Sequence, residues 1–209
     1  MDTSERRFED EIEYSLTHFG ASEFDLYESR SPSGYDRELG LYPQDLLDFV
    51  RETQPQEWAR LERIHGSKAA EKFCKRVARE LEQRGVVEVL RRGVEDLGKR
   101  FELVFFAPGS DLNEQLAEKY WANRMTVVRQ LRYSTKNENS VDTVLFVNGV
   151  PVVTLELKNP LTGQTYRDAI DQYKRSRSAS DVLFGLNRRA VVHFAVDTDE
   201  AWMTTKLAG

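Results

Sequence analysis

Two strongly apolar segments joined by an Asn148-Gly149 pair constrain the fold of this 209-residue chain more than any other feature. Asn-Gly between two apolar runs is the strongest short signal for a β-hairpin. The flanking runs, residues 141–147 and 150–158, are apolar enough to be central strands covered on both faces. The sequence therefore predicts a hairpin in the middle of a sheet.

Most of the other strand-like segments lie in the second half of the chain. Runs rich in β-branched and aromatic residues occur at 100–106, 125–133, 190–196 and 201–206, and a further short strand is predicted at 21–27. Helical periodicity at 112–122 and 165–177 places helices between them. These segments predict an α/β fold, with a mixed sheet flanked by helices.

The first half of the chain is mainly helical. One helix is predicted over residues 4–19, and apolar stripes at helical spacing continue from residue 43 to about residue 97. Because this second segment separates the first helix from most of the strands, we interpret it as a helical insertion near residues 40–100. The expected organisation is a single domain over residues 1–209.

The charge of the chain is unevenly distributed. The net charge is −5, but residues 1–120 contain 18 basic and 26 acidic side chains, whereas residues 121–209 contain 12 and 9. This balance argues against a protein that coats nucleic acid, although it allows local cations beside phosphates. The acidic half is either a surface for a protein partner or a solvated helical face.

The sequence contains few signals that indicate a cellular location. No segment approaches the roughly 20 apolar residues of a membrane helix, and the polar residues 1–13 do not resemble a secretory signal. Cys74 is the single cysteine and fits a small core residue. We expect a reduced, cytoplasmic setting without a membrane partner. The chain ends soon after a strand-like run, which predicts a piece of a longer polypeptide.

Three charged residues interrupt the apolar hairpin: Asp142, Glu156 and Lys158. Burying charges in a sheet is costly unless they pair with one another or bind a metal. Glu156 and Lys158 are two residues apart, so they leave the same face of their strand. A regular two-residue turn would place Asp142 on the opposite face. A shared site therefore predicts one extra residue in the hairpin, and Pro151 suits an irregular start of the second strand.

Two carboxylates and a lysine on one face suit the hydrolysis of phosphodiester bonds. Carboxylate oxygens hold Mg²⁺ and leave positions open for water and phosphate. The metal polarises the phosphate and lowers the pKa of a bound water, while Lys158 can position that water and offset charge in the transition state. The alternative is structural: a buried Glu–Lys ion pair, with Asp142 capping a strand.

The spacing Asp142-x13-Glu156-x-Lys158, within the block FVNGVPVVTLELKNP, resembles the N-terminal nuclease domain of the R subunit of type I restriction enzymes, in the PD-(D/E)xK superfamily. The resemblance covers residues 123–172. It implies a restriction-endonuclease-like fold and an endodeoxyribonuclease that cleaves double-stranded DNA with Mg²⁺. It also implies that Asp142 and Glu156 are metal ligands and that Lys158 is the catalytic lysine.

The same resemblance implies roles for two further residues. The family has an acidic residue on its first helix, and Glu9 is the best match, as a third metal ligand. It also has a Gln-x-x-x-Tyr motif on the helix after the lysine strand. Gln172 matches the glutamine, which helps to order the catalytic site, but Ser176 stands where the tyrosine is expected.

Partners follow from the resemblance as well. In this family the nuclease domain precedes an ATP-driven motor, and methyltransferase and specificity subunits complete the complex. The chain contains no G-x-x-x-x-G-K-[ST] loop, so ATP would serve only a motor that this chain lacks. Residues 29–100 show no useful resemblance.

Basic residues of the helix predicted at 165–177 are candidates for contacts with DNA phosphates: Arg167, Lys174, Arg175 and Arg177. Such contacts position a duplex without reading its sequence. An ordinary exposed helix face explains these residues equally well.

Two other functions remain open. The first is another PD-(D/E)xK nuclease, of the repair, homing or junction type, which would act without a motor. The second is a DNA-binding or assembly module that keeps the nuclease fold without activity. The intact set of Asp142, Glu156 and Lys158 argues against the second.

Overall fold

The computed structural model describes residues 3–20, 26–109 and 113–207, with the backbone alone for residues 3–5. The helices in this part of the chain are α1 (Thr3–His18), α2 (Pro43–Thr53), α3 (Pro55–His65), α4 (Ala69–Arg84), α5 (Val86–Arg92), α6 (Glu114–Trp121) and α7 (Tyr166–Arg175). The strands are β1 (Glu28–Arg30), β2 (Val94–Asp96), β3 (Lys99–Phe101), β4 (Met125–Arg132), β5 (Ser140–Val147), β6 (Val150–Leu157), β7 (Val192–Val196) and β8 (Ala201–Thr204). The strand predicted at 21–27 falls largely outside the described residues.

Six strands form one mixed sheet in the order β1-β4-β5-β6-β7-β8. The pairs β1–β4 and β6–β7 are parallel, and the other neighbours are antiparallel. Helix α1 contacts β4 and β6, and helix α7 contacts β6 and β7. The expected α/β fold, a restriction-endonuclease-like mixed sheet flanked by helices, is confirmed.

The helical insertion has a core of its own. Helices α2–α5 lie in sequence between β1 and β4, which are neighbours in the sheet. Most residues of their apolar stripes are buried against one another, and Leu46 and Phe73 are fully buried. Val150, at the start of β6, belongs to the same core. The backbone N–H of Tyr42 donates to the carbonyl of Gly149 (2.8 Å), so the insertion is attached to the turn of the central hairpin.

Two predictions at the end of the insertion are wrong in part. The helical pattern predicted to about residue 97 ends at Arg92, the last residue of α5, because Gly93 adopts a positive φ of 64° and leads into the β2–β3 hairpin. Of the strand predicted over residues 100–106, only Arg100 and Phe101, which belong to β3, pair with another strand. Beyond it, the side-chain amide of Gln54 binds the backbone of Glu102 in both directions (2.7 and 2.9 Å). A side chain thus takes the place of a partner strand.

The central β5–β6 hairpin has the irregularity that a shared site requires. Asn148 (φ 49°) and Gly149 (φ 77°) are both left-handed, which gives a two-residue turn whose twist matches that of the strands. The register then shifts between Pro151 and the following residues, so that Val152 has no partner in β5. The predicted extra residue is confirmed, and it lies at the start of β6 rather than in the turn.

Cys74 is buried in α4, as expected of a small core residue. Burial raises the pKa of its thiol to about 11, so the cysteine is unreactive. Across the three described stretches of the chain, no helix combines the length and the apolar character needed to span a membrane.

Candidate active site

The bulge brings Asp142 and Glu156 to one face of the sheet. Beyond the bulge, Thr143 pairs with Leu155 as the last pair of the two strands, and this register continued by one residue sets Asp142 opposite Glu156 on one face. Oδ2 of Asp142 accepts a hydrogen bond from the backbone N–H of Leu157 (2.8 Å). Lys158 follows directly, and its own backbone N–H donates to the end of β7 (2.8 Å). The three residues grouped by the sequence therefore lie together.

Glu156 is fully buried, and one of its carboxylate oxygens has no partner among the described residues. Oε1 accepts from Nε of Arg177 (2.7 Å), in an ion pair that is buried on both sides. Oε2 is shielded from solvent and receives no hydrogen bond from the described part of the chain. Such an oxygen, beside a second carboxylate, fits a ligand for a metal cation.

The ionisation of Glu156 is displaced by its surroundings. Burial, and then the negative charge of Asp142, raise the pKa of Glu156 to about 8, against the opposing effects of Arg177 and Lys158. A cation bound at Oε2 would favour the charged carboxylate, so metal binding and loss of the proton are coupled.

Asp142 is also held from the neighbouring strand. Its Oδ1 accepts from the side-chain nitrogen of Gln130 (3.2 Å). The same nitrogen donates to Oε1 of Glu9 (2.8 Å), and Oε1 of Gln130 accepts from the hydroxyl of Ser140 (2.9 Å). Gln130 thus links helix α1 to the hairpin that holds the carboxylates.

Gln130 adopts a strained conformation to make these bonds. Its φ is 48°, inside β4, at a point where the pairing with β5 skips one residue. Left-handed residues other than glycine cost of the order of 1–3 kcal/mol and are concentrated at functional sites. The sequence gives no signal for this glutamine, because nothing in the local pattern marks the distortion of β4.

Glu9, the expected third ligand, lies on α1 and is 2% exposed. Arg129 binds its Oε2 (3.1 Å), while Gln130 binds its Oε1. Burial and the nearby Asp142 raise the pKa of Glu9 above its ordinary value, although its bonds to Arg129 and Gln130 lower it. In the described part of the chain, no group of three or more His, Cys, Asp or Glu side chains is arranged to hold a metal. Asp142 and Glu156 are brought together, whereas Gln130 separates Glu9 from them.

A buried set of hydrogen bonds supports β6 next to Glu156. The hydroxyl of Thr154 contacts the hydroxyl of Tyr173 on α7 (2.9 Å) and Nδ1 of His193 on β7 (2.8 Å). Thr154 and Glu156 are two residues apart, so they share a face of the strand. Burial lowers the pKa of His193 to about 4. The ring is therefore neutral near pH 7 and adds no charge beneath the carboxylates.

Gln172 is half-buried on α7. The structure gives its amide no hydrogen bond to Asp142 or Glu156, both of which are described residues. Ser176, which stands where a tyrosine was expected, is exposed just beyond the end of the helix. The role of Gln172 in ordering the site stays a prediction.

Three of the four basic residues expected to contact DNA are exposed on α7: Arg167, Lys174 and Arg175. The fourth, Arg177, is a correction to that expectation. It lies beyond the helix, is 7% exposed, and donates to Glu156 and to the carbonyl of Ser140 (2.7 Å). A buried carboxylate needs a cationic partner, so Arg177 serves the interior and does not reach a phosphate.

Stability without metal should depend on the ionisation of Glu156. Between pH 4.5, its ordinary value, and about pH 8, the folded chain keeps the Glu156 proton and the unfolded chain loses it. The folded state therefore binds more protons, and the free energy of unfolding falls as pH rises, by at most about 1.4 kcal/mol per pH unit. We expect Glu156→Gln to remove this contribution.

Urea unfolding in EDTA across that pH window measures the effect as the difference between wild type and Glu156→Gln. Burial of neutral His193 gives an opposite slope between pH 6.5 and about pH 4, and it is common to both proteins. A difference that does not change with pH would contradict the raised pKa of Glu156.

Comparison with known proteins adds an independent finding. A family model described as the type I restriction enzyme R protein N terminus matches residues 41–209. The matched region contains Asp142, Glu156, Lys158 and helices α2–α5, and it begins after α1. Most of the segment 29–100, which showed no useful resemblance by itself, is thus part of the matched region. A search of curated proteins finds no match.

Proposed function

Because the chain belongs to the family of type I restriction enzyme R protein N termini, we propose that it is an endodeoxyribonuclease domain that cleaves double-stranded DNA. The observation that supports this most is the pair of Asp142 and Glu156, which follow directly after the last paired residues of β5 and β6, together with the buried Oε2 of Glu156, which receives no hydrogen bond from the described residues. The charged form of this buried carboxylate requires a cation or a donor at Oε2. Lys158 stands at the next position on the same face and completes the PD-(D/E)xK set.

The proposed cofactor is Mg²⁺, held by Asp142 and Glu156. When bound, this ion supplies polarisation of the scissile phosphate and a water of lowered pKa. Arg177 and the backbone N–H of Leu157 each fix one oxygen of a carboxylate. The pair is therefore oriented before any ligand arrives, which lowers the entropy lost on binding.

Lys158 is proposed to position the attacking water and to stabilise negative charge that develops on the phosphate. Its backbone is fixed by the hydrogen bond to β7, and its side chain leaves the strand on the face of Glu156. A flexible ammonium donor on a fixed backbone suits both roles.

The proposed partners are double-stranded DNA and, in a type I restriction–modification complex, the methyltransferase and specificity subunits. ATP would be used only by a motor outside this chain, and a cytoplasmic location belongs to the same proposal. Family membership favours this function over repair, homing or junction-type nucleases. The intact carboxylate pair favours it over an inactive module of the same fold.

Supercoiled plasmid DNA provides the direct test. We expect nicked and linear products with Mg²⁺ and none with EDTA. The reaction is measured with this chain and with an R protein that contains it, assembled with its partner subunits. Plasmid that stays supercoiled with Mg²⁺ in both preparations would reject the nuclease proposal.

Gln130→Ala should lower the cleavage rate roughly 10–100-fold, the usual loss when a residue that orients a metal ligand is removed. The alanine cannot bridge Asp142 and Glu9, so the two carboxylates repel each other. Initial rates over a series of Mg²⁺ concentrations should show a higher Mg²⁺ requirement as well as a lower rate.

Gln172→Ala is the matched control, because it is the same substitution on α7. We expect it to weaken cleavage without abolishing it, and by less than Gln130→Ala. A larger loss from Gln172→Ala would mean that the glutamine implied by the family resemblance, and not Gln130, orders the site.

A further inference from the structure

Two arginines that line a cleft beside the candidate active site hold a carboxylate between them. Glu138, in the loop between β4 and β5, accepts two hydrogen bonds from Arg37 (3.0 and 3.1 Å) and one from Arg132 (3.0 Å). The cleft has a volume of about 570 Å³, and both arginines line it together with Gln130 and Ser140.

The last two residues connect the cleft to the carboxylates. Gln130 donates to Asp142, and the carbonyl of Ser140 accepts from Arg177, which binds Glu156. The wall of the cleft is therefore in direct contact with Asp142 and one side chain away from Glu156. Phosphates recur about every 3.4 Å of axis along each DNA strand. A strand that placed one phosphate at the carboxylates would therefore carry further phosphates past the adjoining cleft.

We infer that Arg37 and Arg132 bind a DNA backbone phosphate next to the one that is cleaved, and that Glu138 occupies this site until DNA displaces it. The inference rests on the proposed function, since DNA is the substrate. Guanidinium groups bind carboxylates and phosphates through the same paired N–H geometry. The position of the Glu138 carboxylate between two arginines therefore marks a position for phosphate oxygens.

The exposure of the cluster permits this exchange. The side chains of Glu138 and Arg132 are 66% and 62% exposed, and ion pairs with such exposure contribute little to stability. Arg37 is more buried and also donates to the carbonyl of Ser134 (3.2 Å). That bond keeps its guanidinium oriented when Glu138 leaves.

Binding of a fluorescently labelled DNA duplex in EDTA tests the site without cleavage. Arg132→Ala should weaken binding roughly 5–10-fold in about 0.1 M salt, and it should lower the slope of log affinity against log salt by about 0.9, the loss of one phosphate contact. Glu138→Gln should strengthen binding about 2- to 5-fold, because a competing anion is removed.

An exposed pair on α5, Arg92 and Glu88 (3.1 Å), supplies the matched controls. Arg92→Ala changes the net charge as Arg132→Ala does, and Glu88→Gln changes it as Glu138→Gln does. Both control residues lie on the helical insertion. The inference is overturned if wild type binds no duplex, if Arg132→Ala binds like Arg92→Ala, or if Glu138→Gln binds no more tightly than Glu88→Gln. The gain from Glu138→Gln cannot arise from misfolding.

The two proposals fail separately in these experiments. If the chain cuts plasmid with Mg²⁺ but neither Arg132→Ala nor Glu138→Gln changes DNA binding, only the phosphate site is contradicted. A chain that shows both effects but never cuts keeps the phosphate site and counts against the nuclease.

Discussion

Glu156→Gln should lower Mg²⁺-dependent DNA cleavage by roughly 10³-fold, equivalent to about 4 kcal/mol of transition-state stabilisation. The amide keeps the shape of the side chain and one acceptor oxygen, but at this fully buried position it cannot take on the negative charge that a bound cation favours. Asp142→Asn should have a similar effect, because Asp142 is close enough for its charge to act on Glu156 and is the second proposed ligand of the same cation. Plasmid nicking at saturating Mg²⁺ gives the rates, and calorimetric titration with Mn²⁺ shows whether cation affinity is lost in parallel.

Glu80→Gln is the matched control for this experiment. Glu80 is also a buried glutamate, 7% exposed, but it pairs with Arg76 and Arg84 on α4, within the insertion. Its substitution should leave the cleavage rate unchanged. Equal rates for wild type, Glu80→Gln and Glu156→Gln would show that the chemistry does not take place at this hairpin.

Glu9→Gln separates two roles for the acidic residue of α1. If Glu9 is a metal ligand, its neutralisation should lower the affinity for Mn²⁺. The observed bonds of Glu9 indicate instead a partner of Arg129 and Gln130. In that case Glu9→Gln should lower the cleavage rate while the affinity for Mn²⁺ stays close to that of wild type. We expect the second result.

The extra residue in the central hairpin was predictable because a regular hairpin and a shared site require different orientations of Asp142 and Glu156. Strand alternation and an Asn-Gly turn together place Asp142 and Glu156 on different faces, so a common site demands one extra residue. The structure supplies it at Val152. The helices of the insertion were similarly predictable from their apolar stripes, although the end of α5 depended on the conformation of Gly93.

The residues that support the site were not predictable in the same way. Arg177 was noticed as a cation and assigned to DNA, because its position in sequence says nothing of the buried carboxylate it meets. Gln130 has no signal at all, since its strained φ follows from the pairing of β4 with β5 and from contacts with α1. Hydrogen-bond partners that are more than a hundred residues apart, such as Gln130 and Glu9, are fixed by the packing of elements and not by local patterns.

Arg177→Met should destabilise the chain in a way that grows with pH. The substitution keeps much of the buried stem but removes the cation that donates a hydrogen bond to Oε1 of Glu156. Removing one partner of a buried ion pair typically costs about 3–5 kcal/mol when the other stays charged. At low pH, Glu156 is protonated in the folded chain and the loss is smaller, consisting mainly of the bonds to Ser140 and Tyr133.

The sign of the pH dependence follows from the pKa of Glu156. That pKa is already raised to about 8 by burial and then by Asp142, and loss of the Arg177 charge raises it further. Above the wild-type pKa, the variant still binds a proton in the folded state that its unfolded state has lost. The free energy of unfolding of the variant therefore continues to fall as pH rises, by up to about 1.4 kcal/mol per pH unit, where that of wild type levels off.

Urea unfolding in EDTA at about pH 6 and about pH 9 measures this difference, with two further variants beside Arg177→Met. Arg177→Lys keeps the charge and should restore most of the stability at the higher pH. Arg189→Met removes another buried arginine, 1% exposed, whose acidic partner Glu82 is 36% exposed. Since Glu82 can be solvated, the destabilisation by Arg189→Met should be similar at both pH values. A destabilisation by Arg177→Met that is equally independent of pH would mean that Arg177 acts through packing alone and does not set the charge of Glu156.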